Sequence, residues 1–201
     1  MTVVEVWLID TRLPFRSDLD PGEVSRRDAF RAPDDRRRFD AAHSAQRRIL
    51  RQRLPEIHWS YGPNGKPFLT GAPLQVNLTH AGEWAAIAIT ATRPVGIDLQ
   101  DIVNGLDHTA MARRFFPPEE ADLVTRCGPE LFARLWARKE AVVKAAGDRI
   151  PRNLGLPVAG SPPPIVDLHG VPHALADLEA PEGFRAAVAL AGPDGFSIRT
   201  H

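Results

Sequence analysis

The 201-residue sequence is poor in cysteine and has no long apolar run, and Cys127 is its single cysteine. A lone cysteine excludes an internal disulfide framework and a zinc site built from several cysteines. No segment approaches the roughly 18 consecutive apolar residues that a membrane span needs. The first residues, MTVVEVWLID, lack the basic start of a signal peptide. These absences predict a cytoplasmic protein without a membrane partner.

The sequence also has no overall excess of either charge, because it contains 25 acidic and 25 basic residues. This balance argues against a generic nucleic-acid-binding protein. Residues 26–53 depart from it, since they hold ten arginines against four aspartates, an excess of six. Such an excess can attract a phosphate ligand or an acidic protein face. It is also common on the solvated face of an ordinary helix, so both interpretations stay open.

Apolar spacing and turn residues predict an α+β fold with antiparallel sheets. The predicted strands are residues 3–9, 76–78, 84–90 and 95–100, followed by a closing hairpin of strands at 184–190 and 196–200. The predicted helices are residues 36–54, 107–114 and 129–146, with a further helix beginning near Pro117. Residues 151–181 are rich in proline and glycine, which indicates an irregular segment.

The predicted strand at 95–100 carries the first chemically informative pattern. Side chains alternate between the two faces of a strand, so its aliphatic residues face the core. Asp98 and Gln100 then share the other face with Gly96, which leaves space beside them. Carboxylate and amide oxygens suit Mg²⁺, which completes its coordination with phosphate oxygens and water.

The second pattern is WARKEAVVK at 136–144. On a helix, Trp136, Glu140 and Lys144 follow one another at intervals of four and share a face. An exposed ion pair is the commoner meaning of the Glu140–Lys144 spacing alone. Because tryptophan is usually buried, its presence on the same stripe favours the wall of a cleft.

Two further residues are weaker candidates. His80 directly follows a predicted strand, where it could contact phosphate or form an ordinary turn hydrogen bond. Lys66 lies in a loop rich in glycine and proline, where a lysine is usually solvated.

Taken in order, five segments resemble the 4′-phosphopantetheinyl transferase superfamily, in its larger Sfp-like branch of two-lobed monomers. The segments are GKP at 65–67, NLTHA at 77–81, GIDLQ at 96–100, FFPPEE at 115–120 and WARKEAVVK at 136–144. They match the family pattern Gly-Lys-Pro, Asn-(Leu/Ile)-Ser-His-Ser, Gly-(Ile/Val)-Asp-x-Glu, Phe-Phe-x-x-x-Glu and Trp-x-x-Lys-Glu-(Ala/Ser)-x-x-Lys. Only the last is specific by itself, so the order and spacing carry the resemblance.

The resemblance implies two similar lobes related by a pseudo-twofold axis, each a helix packed on a small antiparallel sheet. The expected lobes are residues 1–100 and 101–201, with the active site in the cleft between them. The implied enzyme transfers 4′-phosphopantetheine from coenzyme A to a serine of an acyl or peptidyl carrier protein and releases 3′,5′-ADP. The implied cofactor is Mg²⁺, with Mn²⁺ as an alternative.

Roles for individual residues follow from the same resemblance. Asp98 and Glu140 become metal ligands, with Gln100 at the position of a third. The implied catalytic residues are Glu140, Lys144 and Glu120, the last near the attacking serine. The residues implied to contact the phosphates of coenzyme A include Lys66, Thr79 and His80. For the 3′-phosphate, Arg47 lies nearest the matching helix position, and Arg36, Arg37 and Arg38 are looser candidates.

Three positions depart from the family pattern. Thr79 and Ala81 replace serines, and Gln100 replaces a glutamate that often supplies a metal ligand. The neutral Gln100 leaves open an inert protein that binds coenzyme A or a carrier protein. The intact set of Asp98, Glu140 and Lys144 favours the enzyme.

The expected protein partner is a carrier protein with an acidic helix face, attracted by the basic N-terminal half. We expect the enzyme to be a monomer and to bind no nucleic acid. Fatty-acid, polyketide and nonribosomal peptide pathways, including secondary metabolism, all remain open. A small nucleic-acid-binding protein is the least favoured alternative, because few aromatic residues accompany the arginines.

Overall fold

The computed structural model describes all residues from Met1 to His201. Its helices are α1 (Pro21–Asp28), α2 (Pro33–Arg51), α3 (His108–Phe115), α4 (Pro118–Cys127) and α5 (Pro129–Ala146), with a short 3₁₀ helix at Ile150–Arg152. Its strands are β1 (Thr2–Asp10), β2 (Trp59–Tyr61), β3 (Pro67–Leu69), β4 (Gln75–Ala81), β5 (Trp84–Thr90), β6 (Val95–Asp101), β7 (Val166–Leu168), β8 (Val171–Leu178), β9 (Phe184–Ala191) and β10 (Phe196–Thr200). None of the helices combines the length and apolar character needed to cross a membrane.

The strands form two four-stranded sheets and a small hairpin. The first sheet has the order β10-β1-β5-β4 and the second has the order β6-β9-β8-β7. Neighbouring strands run antiparallel except β1 and β10, which pair in parallel. Strands β2 and β3 form the separate hairpin. The structure confirms an α+β fold with largely antiparallel sheets.

Alternating burial along the strands produces a layered core. In β5, Ala86 and Ala88 face the second sheet, whereas Ile87 and Ile89 face α2. In β9, successive side chains point to opposite faces, so Val188 faces the first sheet and Ala187 faces α5. The order of layers is therefore α2, first sheet, second sheet and α5, with apolar side chains filling each interval.

Glycine allows α5 to lie directly on β6. A Cβ placed on Gly96 would come within 2.1 Å of the Ala141 carbonyl oxygen and 2.4 Å of the Ala145 nitrogen. The helix ends at Gly147, whose φ of 71° is a left-handed conformation that favours glycine. The space expected beside Gly96 is thus filled by the helix that carries Glu140 and Lys144.

Several predictions about the elements are wrong in detail. The segment at 151–181 contains the whole of β7 and β8, so it is not simply irregular. The last two strands do not form a hairpin, because β9 pairs with β6 and β8 whereas β10 pairs with β1. Helix α1 was not predicted, although Asp20 and Glu23 form a capping box at its start that could have revealed it.

The sheets divide the chain differently from the expected boundary at residue 100. That boundary falls inside β6, which belongs to the second sheet, and β10 returns to the first sheet. The two-lobe division at this residue and the pseudo-twofold relation stay predictions.

Candidate functional site

A cleft of about 420 Å³ opens where β4, β6, α2 and α5 meet. Its lining residues are Phe30, Asp35, Arg38, Phe39, Thr79, His80, Ala81, Gly82, Asp98, Leu99, Gln100, Asp101, Glu140 and Lys144. Six of the residues that the sequence singled out line this one cleft: Thr79, His80, Asp98, Gln100, Glu140 and Lys144. Two sheets and two helices contribute, so the cleft exists only in the folded chain.

Asp98 stands at the base of this cleft and is 3% exposed. Its Oδ1 accepts hydrogen bonds from Lys144 Nζ at 2.5 Å and from Thr79 Oγ1 at 3.0 Å. Lys144 Nζ also donates to Thr79 Oγ1 at 3.0 Å. The three side chains join β4, β6 and α5 in one buried polar cluster.

Glu140 lies one turn before Lys144 on α5. Its Oε1 accepts a hydrogen bond from Trp136 Nε1 at 2.8 Å, and its Oε2 is 3.4 Å from Lys144 Nζ. Trp136 packs against Phe132 and Phe116, which fix the indole beside the carboxylate. Trp136, Glu140 and Lys144 thus form the continuous stripe that their spacing predicted.

Burial is the main cause that raises the pKa of Asp98, because a charged carboxylate loses hydration there. Nearby Lys144 lowers the pKa and nearby Glu140 raises it. The positive charge of a bound cation would favour the ionised carboxylate in the same way as Lys144 does.

Asp98 also provides the observation that tests for a metal ligand. Its Oδ2 is fully buried and has no hydrogen-bond partner. Such an atom needs an explanation, because buried polar atoms are nearly always paired. With the oxygens of Glu140 and Gln100 in the same cleft, the donor set fits Mg²⁺, which favours one or two carboxylates. No group of three or more His, Cys, Asp or Glu side chains is placed to hold a metal ion.

His80 lies at the rim, directly after Thr79 on β4. Burial of part of its ring and the positive charges of His43, Lys144 and Arg38 lower its pKa. The imidazole is therefore neutral near pH 7 and can donate one hydrogen bond.

Lys66 reaches the junction between β6 and α5 from outside this cleft. Its Nζ donates to the carbonyl oxygens of Val95 at 3.1 Å and Ala145 at 2.9 Å. Burial lowers the pKa of Lys66 to about 8. The lysine lines a neighbouring cavity together with Lys144, so Lys144 separates the two spaces.

Arg37 and Arg38 are both bound to Glu83, in the turn between β4 and β5. Arg37 donates to Glu83 Oε2 at 2.5 Å, and Arg38 donates to Glu83 Oε1 at 2.9 Å. Arg38 lines the cleft, whereas Arg37 does not. Arg38 Nη1 also donates to Asp35 Oδ1 at 3.2 Å.

The structure does not bring Arg47 to the cleft. Its Nη1 lies 3.1 Å from Asp20 Oδ2 and 3.5 Å from Glu23 Oε2, and its side chain is largely buried. These contacts anchor α1 to α2. Its expected role in binding coenzyme A stays a prediction without support from its position.

Glu120 also lies away from the cleft. It is 2% exposed and accepts hydrogen bonds from Lys139 Nζ and from the amides of Val158 and Ala159, at 2.5, 2.5 and 2.7 Å. The carboxylate thus ties α4 to α5 and to the segment before β7. Its expected place near an attacking serine stays a prediction.

The arginine-rich segment is mostly compensated by carboxylates. Six of its ten arginines form salt bridges: Arg27, Arg37, Arg38, Arg47, Arg51 and Arg53. This pairing gives no support to a broad nucleic-acid-binding face.

Sequence reasoning missed several residues at the site. Phe30, Asp35 and Phe39 line the cleft from the segment around the start of α2. Asn77 Oδ1 accepts the Ile97 amide at 2.8 Å and thereby joins β4 to β6. Asn77 itself belongs to the NLTHA segment that the sequence singled out, but its contact with Ile97 was not predicted.

Together, the two packed sheets define an α+β protein with a polar cleft at their junction, where two carboxylates and a lysine meet. Residues 94–167 match the family model of the 4′-phosphopantetheinyl transferase superfamily. The chain is 32% identical to the 4′-phosphopantetheinyl transferase HetI of Nostoc sp. strain PCC 7120, over 94% of this chain and 88% of HetI. The chain belongs to the 4′-phosphopantetheinyl transferase superfamily.

For two further relatives, the similarity extends over a smaller share of the relative's length. The 4′-phosphopantetheinyl transferase AcpT of Salmonella typhimurium is 37% identical over 47% of this chain and 50% of AcpT. The L-aminoadipate-semialdehyde dehydrogenase-phosphopantetheinyl transferase of Xenopus laevis is 26% identical over 74% of this chain and 54% of that protein. Relatives from bacteria and an animal therefore share the transferase name.

Proposed function

We propose that this protein transfers the 4′-phosphopantetheine group of coenzyme A to a serine of a carrier protein. The observation that carries the proposal is the convergence of Asp98, Glu140 and Lys144 in one cleft. A non-catalytic binding protein has no need for two carboxylates and a lysine held in this arrangement. Membership of the superfamily and the names of its relatives support the same activity.

In the proposed reaction, the serine hydroxyl oxygen forms a bond to the phosphorus that carries the pantetheine group. The bond from this phosphorus to the bridging oxygen of the pyrophosphate breaks, and 3′,5′-ADP leaves. Glu140 accepts the hydroxyl proton, directly or through a water molecule. Its carboxylate is suited to this role because its side chain is 20% exposed in the cleft.

Lys144 and the residues of β4 would bind the phosphates. Lys144 Nζ is a compact positive charge with three N–H donors, two of which already contact Asp98 and Thr79. His80 adds a hydrogen-bond donor at the rim. The single hydroxyl hydrogen of Thr79 is donated to Asp98 Oδ1, so Thr79 would donate to a phosphate only after that bond is released. Arg38 is the arginine of the α2 segment that lines the cleft, so we propose it as a further contact for coenzyme A.

We propose that Asp98 and Glu140 hold Mg²⁺, with Gln100 as a neutral third ligand. When bound, the ion would stabilise negative charge on the pyrophosphate. Mn²⁺ offers similar oxygen chemistry and should substitute. Cytoplasmic location, a monomeric state and an acidic docking face on the carrier protein stay predictions.

The test is mass spectrometry of apo carrier proteins incubated with this protein, coenzyme A and Mg²⁺. Carriers from fatty-acid, polyketide and nonribosomal peptide pathways should be compared, because the pathway stays open. We expect a good carrier to gain the mass of one phosphopantetheine, and its Ser→Ala variant to gain none. Binding of coenzyme A without modification of any carrier would favour the inert binding protein.

A further inference from the structure

Asp101 holds the amide end of Gln100. Gln100 Nε2 donates to the carbonyl oxygen of Asp101 at 3.1 Å and to Asp101 Oδ1 at 2.9 Å. One of these acceptors is on the backbone of Asp101 and the other is on its side chain. Gln100 Oε1 is left as the free acceptor of the side chain.

The direction of that free acceptor follows from the shape of the amide. Because the group is planar, fixing Nε2 against Asp101 turns Oε1 away from Asp101. Gln100 shares its face of β6 with Asp98, whose buried Oδ2 also lacks a partner. Both side chains line the same cleft as Glu140, and Asp101 lines it as well.

Without such a partner, the amide could rotate and present its NH₂ group to the cleft. The partial positive charge of an NH₂ group repels a cation, whereas the carbonyl oxygen is a hard ligand for Mg²⁺. A glutamate at this position would not have this problem, because both ends of a carboxylate are acceptors. A glutamine therefore needs a residue that selects one of its two orientations.

We propose that Asp101 is a positioning residue that fixes Gln100 with Oε1 toward the cation held by Asp98 and Glu140. The proposal rests on the proposed function, since it assumes that the cleft takes a divalent cation. Asp101 then allows this chain to keep three oxygen ligands although its third ligand is neutral.

The primary measurement is binding of Mn²⁺ to the purified protein. Binding is detected as a loss of the electron paramagnetic resonance signal of free Mn²⁺. Titrations are run with and without coenzyme A, in the absence of a carrier protein. Asp101→Ala removes the Oδ1 acceptor and keeps the backbone carbonyl. We expect it to weaken Mn²⁺ binding by about tenfold, the lower end of the effect of residues that orient metal ligands. Asp101→Asn keeps an acceptor oxygen and loses the charge, so it should bind Mn²⁺ nearly as well as the wild type.

A second background separates positioning from simple attraction between charges. In Gln100→Glu, residue 100 has no NH₂ group to orient, and Asp101 becomes a repelling neighbour. Asp101→Ala should therefore not weaken Mn²⁺ binding in that background. Equal weakening in both backgrounds, or an Asp101→Asn variant as weak as Asp101→Ala, would overturn the positioning role.

The wild type distinguishes failure of this inference from failure of the proposed function. Suppose the wild type modifies a carrier and binds Mn²⁺, and the Asp101→Ala variant binds Mn²⁺ equally well. Then only the proposal for Asp101 is wrong, and the proposed function stands. If the wild type neither binds Mn²⁺ in the presence of coenzyme A nor modifies any carrier, the proposed function fails as well.

Discussion

Gly96 lies directly beneath Ala141, so closely that a Cβ on the glycine would stand 2.1 Å from the alanine carbonyl oxygen. This contact sets the distance between β6 and α5. Because Asp98 belongs to the strand and Glu140 to the helix, the same contact sets how closely the two carboxylates approach.

We therefore expect Gly96→Ala to push α5 away from β6. The variant should lose stability by about 1–3 kcal/mol, as is typical of overpacked sites. Transfer activity should fall more than stability alone explains, since the carboxylates separate. Urea unfolding and carrier modification test this, with Gly155→Ala as the control because its Cβ would meet nothing within 4 Å. A Gly96→Ala variant as stable and active as the control would contradict the close packing.

Glu140→Gln tests the proposed proton acceptor. The amide cannot accept the serine proton, although it keeps the shape of the side chain and can still accept from Trp136. We expect carrier modification to slow by roughly 10²–10⁴-fold, the usual contribution of acid–base catalysis. The urea midpoint should stay close to that of the wild type. A folded variant with a near wild-type rate would remove Glu140 from the reaction.

Arg38 and Arg47 form a matched pair on α2, one in the cleft and one outside it. Arg38→Ala should raise the KM for coenzyme A. Arg47→Ala should lower the free energy of unfolding by about 3 kcal/mol, because it leaves the buried Glu23 without its guanidinium partner.

The sequence-based prediction that Arg47 reads the 3′-phosphate is tested in the same pair of variants. The ratio of KM values for coenzyme A and dephospho-coenzyme A should be measured for both. If Arg47→Ala changes the ratio without loss of stability, the sequence prediction is right and the structural role assigned here is wrong.

Glu83 gives a prediction about pH. Hydrogen bonds from Arg38 and then Arg37 lower the pKa of Glu83 from 4.5 to about 2. A carboxylate with a depressed pKa stabilises the folded state above its ordinary pKa, and this contribution is lost as the pH falls from 4.5 toward 2. Glu83→Gln should then cost about 1 kcal/mol at pH 7, a modest value because solvent screens the partly exposed pair. The difference from wild type should shrink at pH 3, and a constant difference would show that the charge does not contribute.

Much of the site was predictable because its residues follow the regular spacing of a strand or of a helix. Asp98 and Gln100 follow the alternation of a strand, and Glu140 and Lys144 follow the turn of a helix. The resemblance of the five segments then indicated that these two elements should meet. The individual contacts were not predictable, since Lys144 Nζ meets Asp98 Oδ1 only through packing between distant segments.

The errors have equally specific causes. Arg47 has the charge of a phosphate ligand, but two carboxylates around α1 are its partners, and α1 itself was not predicted. The last two strands were predicted as a hairpin because a turn joins them, yet local turn residues do not reveal that β10 pairs with β1. The last strand pairs with whichever sheet edge is still unpaired in the folded chain. A single sequence does not show which edge that is.

The parallel pairing of β10 with β1 has a consequence for any attempt to divide the protein. Residues 196–200 form the outer strand of the sheet that begins at residue 2, so the first and last strands of the chain are paired directly. A fragment cut at residue 100 would lack this outer strand and would break β6 near its end. Neither half should be obtainable as an independently folded module, because the cut would also separate Asp98 on β6 from Glu140 on α5.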